Sequence, residues 1–366
     1  SGIHSKTFAH QSSRELPAIT AEVAPISIAE MEARITKAQK LLFQQNIGAL
    51  VLDCGTSLEY FTGVKWWPSE RTMVAIIPAK GSVKYVCPAF EEPRLREQIK
   101  IGKDVLAWQE DESPYKLIVT ILNDAGISEG MVGIEEQTRF FIADGIRKVA
   151  PQLNLVSGDS VSAACRLIKS PAELALMQKA SEITLAAIRV GVKQLKVGMK
   201  PNELSGIINK AQAQLGGEPD FALCLFGEAS AFPHGTKELR TLRKGDIVLM
   251  DCGCKLHGYC SDVTRTVVYG AAPTKRQREI WNLEKKAQAA GFAAAQIGVP
   301  CGNVDAASRK VITDAGFGPG YTTPGLPHRT GHGIGMDGHE WGNMVKGNPL
   351  ILAAGMCFSI EPTIAI

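Results

Sequence analysis

The run Ser170-Pro171-Ala172-Glu173 constrains this chain more than any other short stretch, because it carries three separate helix-start signals. Ser suits the N-cap, Pro the first helical position, and Glu three residues after the cap closes a capping box. The sequence pattern also changes here. Before it, helix and strand signals alternate. After it, long helices alternate with antiparallel hairpins. The 366 residues are enough for two domains, each with its own core.

Residues 1–26 read as a polar, irregular lead-in. Ser27 and Glu30 form another capping box, and Met31, Ile35, Ala38 and Leu42 mark one helical face. Ala49–Leu52 reads as a buried strand. Met73–Ile77 and Lys84–Cys87 flank Ala79-Lys80-Gly81-Ser82 and read as a hairpin. Val105–Trp108 and Met131–Ile134 add strands around a helix over Tyr115–Asn123. Residues 27–160 therefore read as an α/β domain. Residues 161–366 read as α+β: a helix from Pro171 to about Leu195, another near Pro201, a third from about Thr274 to Ile297 and a fourth capped by Asn303. Ile247–Cys254 pairs with Tyr259–Val268, and Gly355–Ile366 reads as a further strand.

Composition excludes several classes. Apolar residues at 45% and charged residues at 21% are globular values. Forty Lys and Arg against 37 Asp and Glu leave a net charge of +3, without the concentrated basic stripe of a nucleic-acid binder. No apolar run reaches the roughly 18 residues of a membrane span, and the start lacks a signal-peptide core. Nine cysteines, an odd count, suit a reducing compartment, so a cytoplasmic location is expected.

The stretch from Gly245 to Thr264 carries the most chemistry. With a turn at Lys255–Gly258, Asp251 and Asp262 fall directly opposite each other on one face. Two carboxylates about 5 Å apart at an effective dielectric near 20 repel by roughly 3 kcal/mol. The bland alternative is a solvated hairpin face, but Ile247–Met250 and Val263–Val268 are apolar enough for burial. A shared proton, a basic side chain or a cation must then offset the repulsion. Cys252 and Cys254 point away from the Asp251 face while Cys260 shares that of Asp262, so the three thiols read as core rather than a zinc cluster.

His328, His332 and His339 lie among glycines in one short stretch, where backbone can approach a ligand closely. Glu361, after apolar Met356-Cys357-Phe358, closes a strand at a cost unless it is paired. Asp251, Asp262, His332 and Glu361 together offer three carboxylates and one imidazole. That set suits Mn²⁺ and tolerates Co²⁺ or Zn²⁺. Bridging carboxylates suggest two ions about 3.5–4 Å apart, which lower the pKa of a shared water toward about 7. The reaction class is metal-assisted hydrolysis.

These residues resemble a known family. Phe232-Pro233-His234-Gly235, Gly245-Asp246 through Asp251, Asp262-Val263-Thr264-Arg265-Thr266, His328 through His339, and Glu361-Pro362 follow the order seen in pita-bread metallopeptidases. The chain looks most like Xaa-Pro dipeptidases (prolidases) and Xaa-Pro aminopeptidases over roughly 27–366. Leu58-Glu59-Tyr60-Phe61-Thr62-Gly63 resembles the creatinase/prolidase N-terminal domain. The resemblance implies an α+β pita-bread domain behind an α/β N-terminal domain that roofs the site and joins a homodimer. It implies cleavage of the bond preceding proline in dipeptides or short peptides, with two divalent cations. Asp251 chelates one metal in this picture, Asp262 and Glu361 bridge both, and His332 completes the other. Glu361 shuttles the proton, His339 stabilises the oxyanion, and His234, His328 and His339 meet substrate.

One departure stands out. The family carries a second bridging Glu in an Arg-x-Glu-Asp context, whereas only five residues follow Glu361. A C-terminally shortened form is therefore expected, with weak metal occupancy and little activity for residues 1–366 alone. Two alternatives remain: a non-catalytic pita-bread binding module, which the missing Glu favours, and a metal-free creatinase-type C–N hydrolase, which the Asp251 and Asp262 pair opposes. Similar enzymes can also hydrolyse organophosphate esters, so the resemblance admits that side activity. A methionine aminopeptidase fits less well, given the large N-terminal domain.

Overall fold

The computed structural model describes residues 16–238 and 240–366. Residues 1–15 of the expected lead-in lie outside this range; residues 16–26 contain a turn but no helix or strand. The described chain forms two compact units. One comprises Pro25–Ala175, His257–Tyr259 and Glu279–Ile366. The other comprises residues 16–24, Leu176–Leu256 and Cys260–Arg278.

The first unit opens with α1 (Ile28–Gln44), capped by Ser27: Glu30 N–H donates to Ser27 Oγ at 3.1 Å. The expected box is only half formed, because the Glu30 carboxylate accepts from Arg34 Nη2 at 3.0 Å and Ser170 Oγ at 2.6 Å. The expected apolar face is buried, and Arg34 joins it. A guanidinium survives there because Tyr60 O and the Tyr259 hydroxyl each accept from it at 2.9 Å, and Glu173 lies 3.3 Å away. There follow β1 (Ile47–Asp53), α2 (Thr56–Thr62), β2 (Val74–Pro78), β3 (Lys84–Pro88), α3 (Glu92–Gln98), β4 (Asp104–Trp108), α4 (Pro114–Asp124), β5 (Gly130–Ile134), α5 (Phe140–Val149), β6 (Leu153–Ser157) and α6 (Asp159–Arg166). The six strands form one sheet in the order β4-β3-β2-β1-β5-β6. β1 pairs antiparallel with β2 and parallel with β5. Residues 49–52 of β1 are fully buried, which is why this strand reads as a continuous apolar run rather than an alternating one. Each such aliphatic side chain contributes roughly 1.5–3 kcal/mol.

The other unit takes in most of α7 (Pro171–Lys193), then α8 (Pro201–Gln214), β7 (Glu218–Phe226), β8 (Ile247–Leu256), β9 (Tyr259–Cys260) and β10 (Val263–Val268). The Ser170 cap is a true box: Glu173 N–H donates to Ser170 Oγ, and Ser170 N–H to Glu173 Oε2. β8 is the central strand of β10-β8-β7, antiparallel to both neighbours. Along it Val248, Met250, Cys252 and Cys254 are fully buried, while Ile247, Leu249 and Asp251 on the opposite face are half-buried. β10 is half-buried along most of its length, with Arg265 exposed, so it is less enclosed than its apolar sequence suggests.

The remaining elements are α9 (Lys275–Ala294), α10 (Cys301–Asp314), β11 (Gly331–Gly333) and β12 (Glu340–Met344). Two expectations fail here. Asn303 lies inside α10, not at its cap: Pro300 precedes the helix, and the first N–H groups, of Cys301 and Gly302, donate to Leu350 O and Asn348 O. Backbone carbonyls thus replace a side-chain cap. Nor is Gly355–Ile366 a continuous strand. It makes isolated pairings, Met356 with Ile168, Phe358 with Gly333 and Ala365 with Gly325. The ladder breaks because His332 N–H donates to Ser359 Oγ instead of a carbonyl, and Pro362 has no N–H to offer. Among the described residues no helix is long and apolar enough to cross a membrane.

Candidate active site

The carboxylate hairpin has a different register from the expected one. Asp251 faces Thr264, not Asp262, and on its other side it faces Leu223. The turn is the two-residue His257–Gly258 instead of Lys255–Gly258. Both its residues have positive φ, +48° and +89°, as a type I′ hairpin turn requires. The tighter turn shifts the pairing by two positions, which preserves the face but moves Asp262 to a diagonal place beside Gly253. The two carboxylates are therefore not the directly opposed pair that the sequence suggests. Thr264 Oγ1 donates to Asp251 Oδ1 at 3.0 Å and orients that carboxylate. Gly253 is required where it is: a Cβ there would lie 2.3 Å from Ser261 O.

The thiols are core. Cys252, Cys254 and Cys260 are all buried. The Cys252 thiol is pushed far up by its hydrogen bond with Cys224 and by burial, so it is held as the neutral thiol. Cys254 Sγ lies 3.4 Å from both Ala180 O and Thr184 Oγ1. His234 is exposed, in the segment after the single-turn helix Gly227–Ala231.

The imidazole loop lies in the other unit. Asp305, 1% exposed, accepts from Thr330 N–H and Thr330 Oγ1 and pairs with Arg309, which fixes the start of β11. Ser359 N–H donates to His332 O and Glu361 N–H to Thr330 O, both at 2.8 Å, so residues 359–361 run beside 330–332. Gly331 makes that approach possible: a Cβ there would lie 1.9 Å from Ser359 O. His332 is buried, and its Nδ1 meets Gly333 O at 3.0 Å, which assigns the proton to Nδ1. Nε2 then faces Glu361 Oε1 at 2.8 Å, and Ser359 Oγ donates to the same oxygen at 2.7 Å.

A lone pair and a carboxylate oxygen do not sit 2.8 Å apart without a cation between or beside them, be it a proton on Nε2 or a metal ion. Burial alone would raise the Glu361 carboxyl, but hydrogen bonds from His332 and Ser359 outweigh it and hold the group below the usual carboxylate range. His332 and Glu361 thus fit a divalent cation by donor type, ionisation and orientation. The His339 ring packs edge-on against His332, with centroids 4.1 Å apart. His339 itself is exposed. His328 is half-buried and its Nδ1 bonds the carbonyl of Arg329 at 2.7 Å. Within the two units, then, His332, His339 and Glu361 come together, and Asp251 comes together with Thr264. The roles of Thr264 and Ser359 are not signalled by the sequence: Thr264 reaches Asp251 across the hairpin from thirteen positions away, and a hydroxyl two positions from a carboxylate, as Ser359 is from Glu361, is too common to single out.

Residues 175–366 match the profile of metallopeptidase family M24. The chain belongs to that family. Residues 34–168 match the creatinase/prolidase N-terminal domain, so the M24 domain and its α/β predecessor are both present, as the resemblance implied. An uncharacterized peptidase of Schizosaccharomyces pombe is 35% identical over 96% of this chain and 79% of its own. The crystal structure of a prolidase from Thermococcus sibiricus is 30% identical, with a TM-score of 0.82, covering 92% of this chain and 90% of that one. A dipeptidase, PepE, from Mycobacterium ulcerans is 29% identical with a TM-score of 0.85, covering 94% and 91%. The M24 chain is thus a prolidase-type metallopeptidase by fold, of a family that acts on peptides with divalent metal ions.

Proposed function

We propose that this M24 protein hydrolyses the peptide bond preceding proline in Xaa-Pro dipeptides or short peptides. Asp251, Asp262, His332 and Glu361 hold two divalent cations, Mn²⁺ by donor chemistry, with Co²⁺ or Zn²⁺ as substitutes. The observation that carries the reading is the close pair of His332 Nε2 and Glu361 Oε1, with His339 against the same imidazole. The similarity to solved prolidases supports the choice of substrate. Residues 27–160 form the N-terminal domain and 161–366 the catalytic one; the protein works in the cytoplasm as a homodimer.

When bound, the cations supply the Lewis acidity that makes water a nucleophile near neutral pH. Glu361, with its side chain 33% exposed, takes the proton of the attacking water and passes it to the departing proline nitrogen. His339, on the rim of its loop, donates to the carbonyl oxygen as negative charge develops there. Thr264 keeps Asp251 in one rotamer, and Ser359 does the same for Glu361. His234 and His328 shape the space around substrate and proline.

A panel of Ala-Pro, Ala-Ala and Ala-Pro-Ala tests this reading on the full-length protein. Cleavage of Ala-Pro at least tenfold faster than Ala-Ala is expected. Equal rates on the two dipeptides contradict proline selectivity, and no cleavage of any peptide contradicts the peptidase reading.

A further inference from the structure

The loop that carries His339 buries Ile334 and Met336, and a cluster of charged side chains also holds it. Glu340, directly after His339, has a side chain only 2% exposed, and Arg166 and Lys169, equally buried, both reach it. Lys169 Nζ donates to Glu340 Oε2 at 2.9 Å, and Arg166 Nη2 donates to Oε1. The same Oε1 accepts the backbone N–H groups of Met336 at 3.0 Å and Asp337 at 3.2 Å. Asp337 accepts in turn from Arg166 Nη2 at 2.7 Å and from Thr56 Oγ1. Arg166 Nη1 donates to Ser57 Oγ at 3.1 Å, and that hydroxyl donates to Glu135. The Arg166 guanidinium also lies 5.0 Å from the centre of the Trp341 ring.

Residues 334–339 belong to no helix or strand, so their N–H groups need other acceptors. Ile334 N–H donates to Cys357 O and Gly335 N–H to Asp337 O. The Glu340 carboxylate takes those of Met336 and Asp337, and it fills the loop so closely that a Cβ on Gly335 would lie 2.6 Å from Oε2. Burying two cations and a carboxylate is a costly way to hold a loop, and apolar residues of similar volume commonly hold one as firmly. A buried, multiply bonded carboxylate does differ in directionality: it fixes where each N–H, and therefore each Cα, must lie. Glu340 also begins β12, opposite Gly333 and next in sequence to His339, so its placement sets the geometry of both imidazoles.

We propose that Arg166, Lys169 and Glu340 are positioning residues for His339: they hold residues 334–340 so that the His339 ring stays against His332 at the place where it meets substrate. The inference rests on the role given to His339 above. Displacing a catalytic group by about 1 Å costs on the order of 10²-fold in rate, so the effect is measurable.

The test is a double-mutant cycle on the full-length, Mn²⁺-loaded protein with Ala-Pro, using Glu340→Gln, His339→Ala and the combination, with metal content measured in each. Glu340→Gln should lower kcat by about 10- to 100-fold with KM changed less than about twofold. With His339 already replaced, the same change should cost less than about twofold, because the residue it positions is gone. Equal losses in both backgrounds overturn the proposal. Asp337→Asn, at a side chain 24% exposed, enters the same cycle as the gentler variant, with the same two outcomes. A second readout needs no activity: the His339 ring resonances of metal-free protein, assigned by their loss in His339→Ala. These should shift or broaden in Asp337→Asn and Glu340→Gln while those of His257 stay put. Unchanged His339 resonances overturn the proposal. Wild-type protein that fails to cleave Ala-Pro instead counts against the proposed function, and the resonances still decide whether His339 is held by this cluster.

Discussion

His332 Nε2 and Glu361 Oε1 stand 2.8 Å apart, while the other nitrogen of the ring bonds the carbonyl of Gly333. The pair is preset for a cation, because one ring nitrogen is committed and the other faces a carboxylate. Metal should therefore stabilise the folded chain, by about 2.7 kcal/mol at a hundredfold excess over Kd. Thermal unfolding followed across a Mn²⁺ titration should show Tm rising with concentration. In His332→Ala the rise should be largely lost. An equal rise in both proteins would show that the ion binds elsewhere.

Thr264 is the hydroxyl that orients Asp251. Removing a group that holds a metal ligand in place commonly costs 10- to 100-fold in affinity. Thr264→Val, nearly isosteric, is expected to weaken Mn²⁺ binding about tenfold by calorimetry while leaving the strand pairing intact. Wild-type affinity in that variant would mean that Asp251 is held in place by other groups or is not a ligand.

His339 touches the His332 ring but is exposed, which suits a residue that meets substrate more than one that chelates. His339→Ala should cut kcat by about 10²–10³ with metal content unchanged. If metal is lost as well, His339 is a ligand and the roles of the two imidazoles must be exchanged.

Glu340 supplies a pH signature. Burial alone would raise its carboxyl, but Arg166 and Lys169 together outweigh that and hold it below the usual carboxylate range. A folded-state pKa below the unfolded one contributes stability that is full above the unfolded value, near 4.3, and is lost as pH falls through the folded value. Tm of the wild type should therefore drop as pH is lowered from about 5, and Glu340→Gln should show a shallower drop from a lower starting point. Parallel curves would contradict the assignment.

Much of this was legible in the sequence where the signal is local. Ser170 with Glu173 closes a full capping box, because a box uses residues three apart. Ser27 caps its helix too, but the Glu30 carboxylate turns to Arg34 and Ser170, partners that no local pattern signals. The strands β1 to β5 announce themselves by apolar runs between turns. The hairpin register differs by two positions from the one the sequence suggests, since His257 at positive φ is not a residue from which a type I′ turn is ordinarily read. The last segment reads as a strand because its side chains are apolar, yet Ser359 diverts a backbone donor to its own hydroxyl. Least legible is the cluster around Glu340. Its partners lie 171 and 174 residues away, and nothing local in Arg166 or Lys169 distinguishes them from surface cations.

The central claim is metal-dependent cleavage before proline, and hydrolysis of Ala-Pro by the full-length protein before chelation, after exhaustive chelation, and after Mn²⁺ or Co²⁺ is restored tests it most directly. Activity should disappear with the metal and return with either ion. Hydrolysis that continues undiminished in metal-free protein would contradict the account.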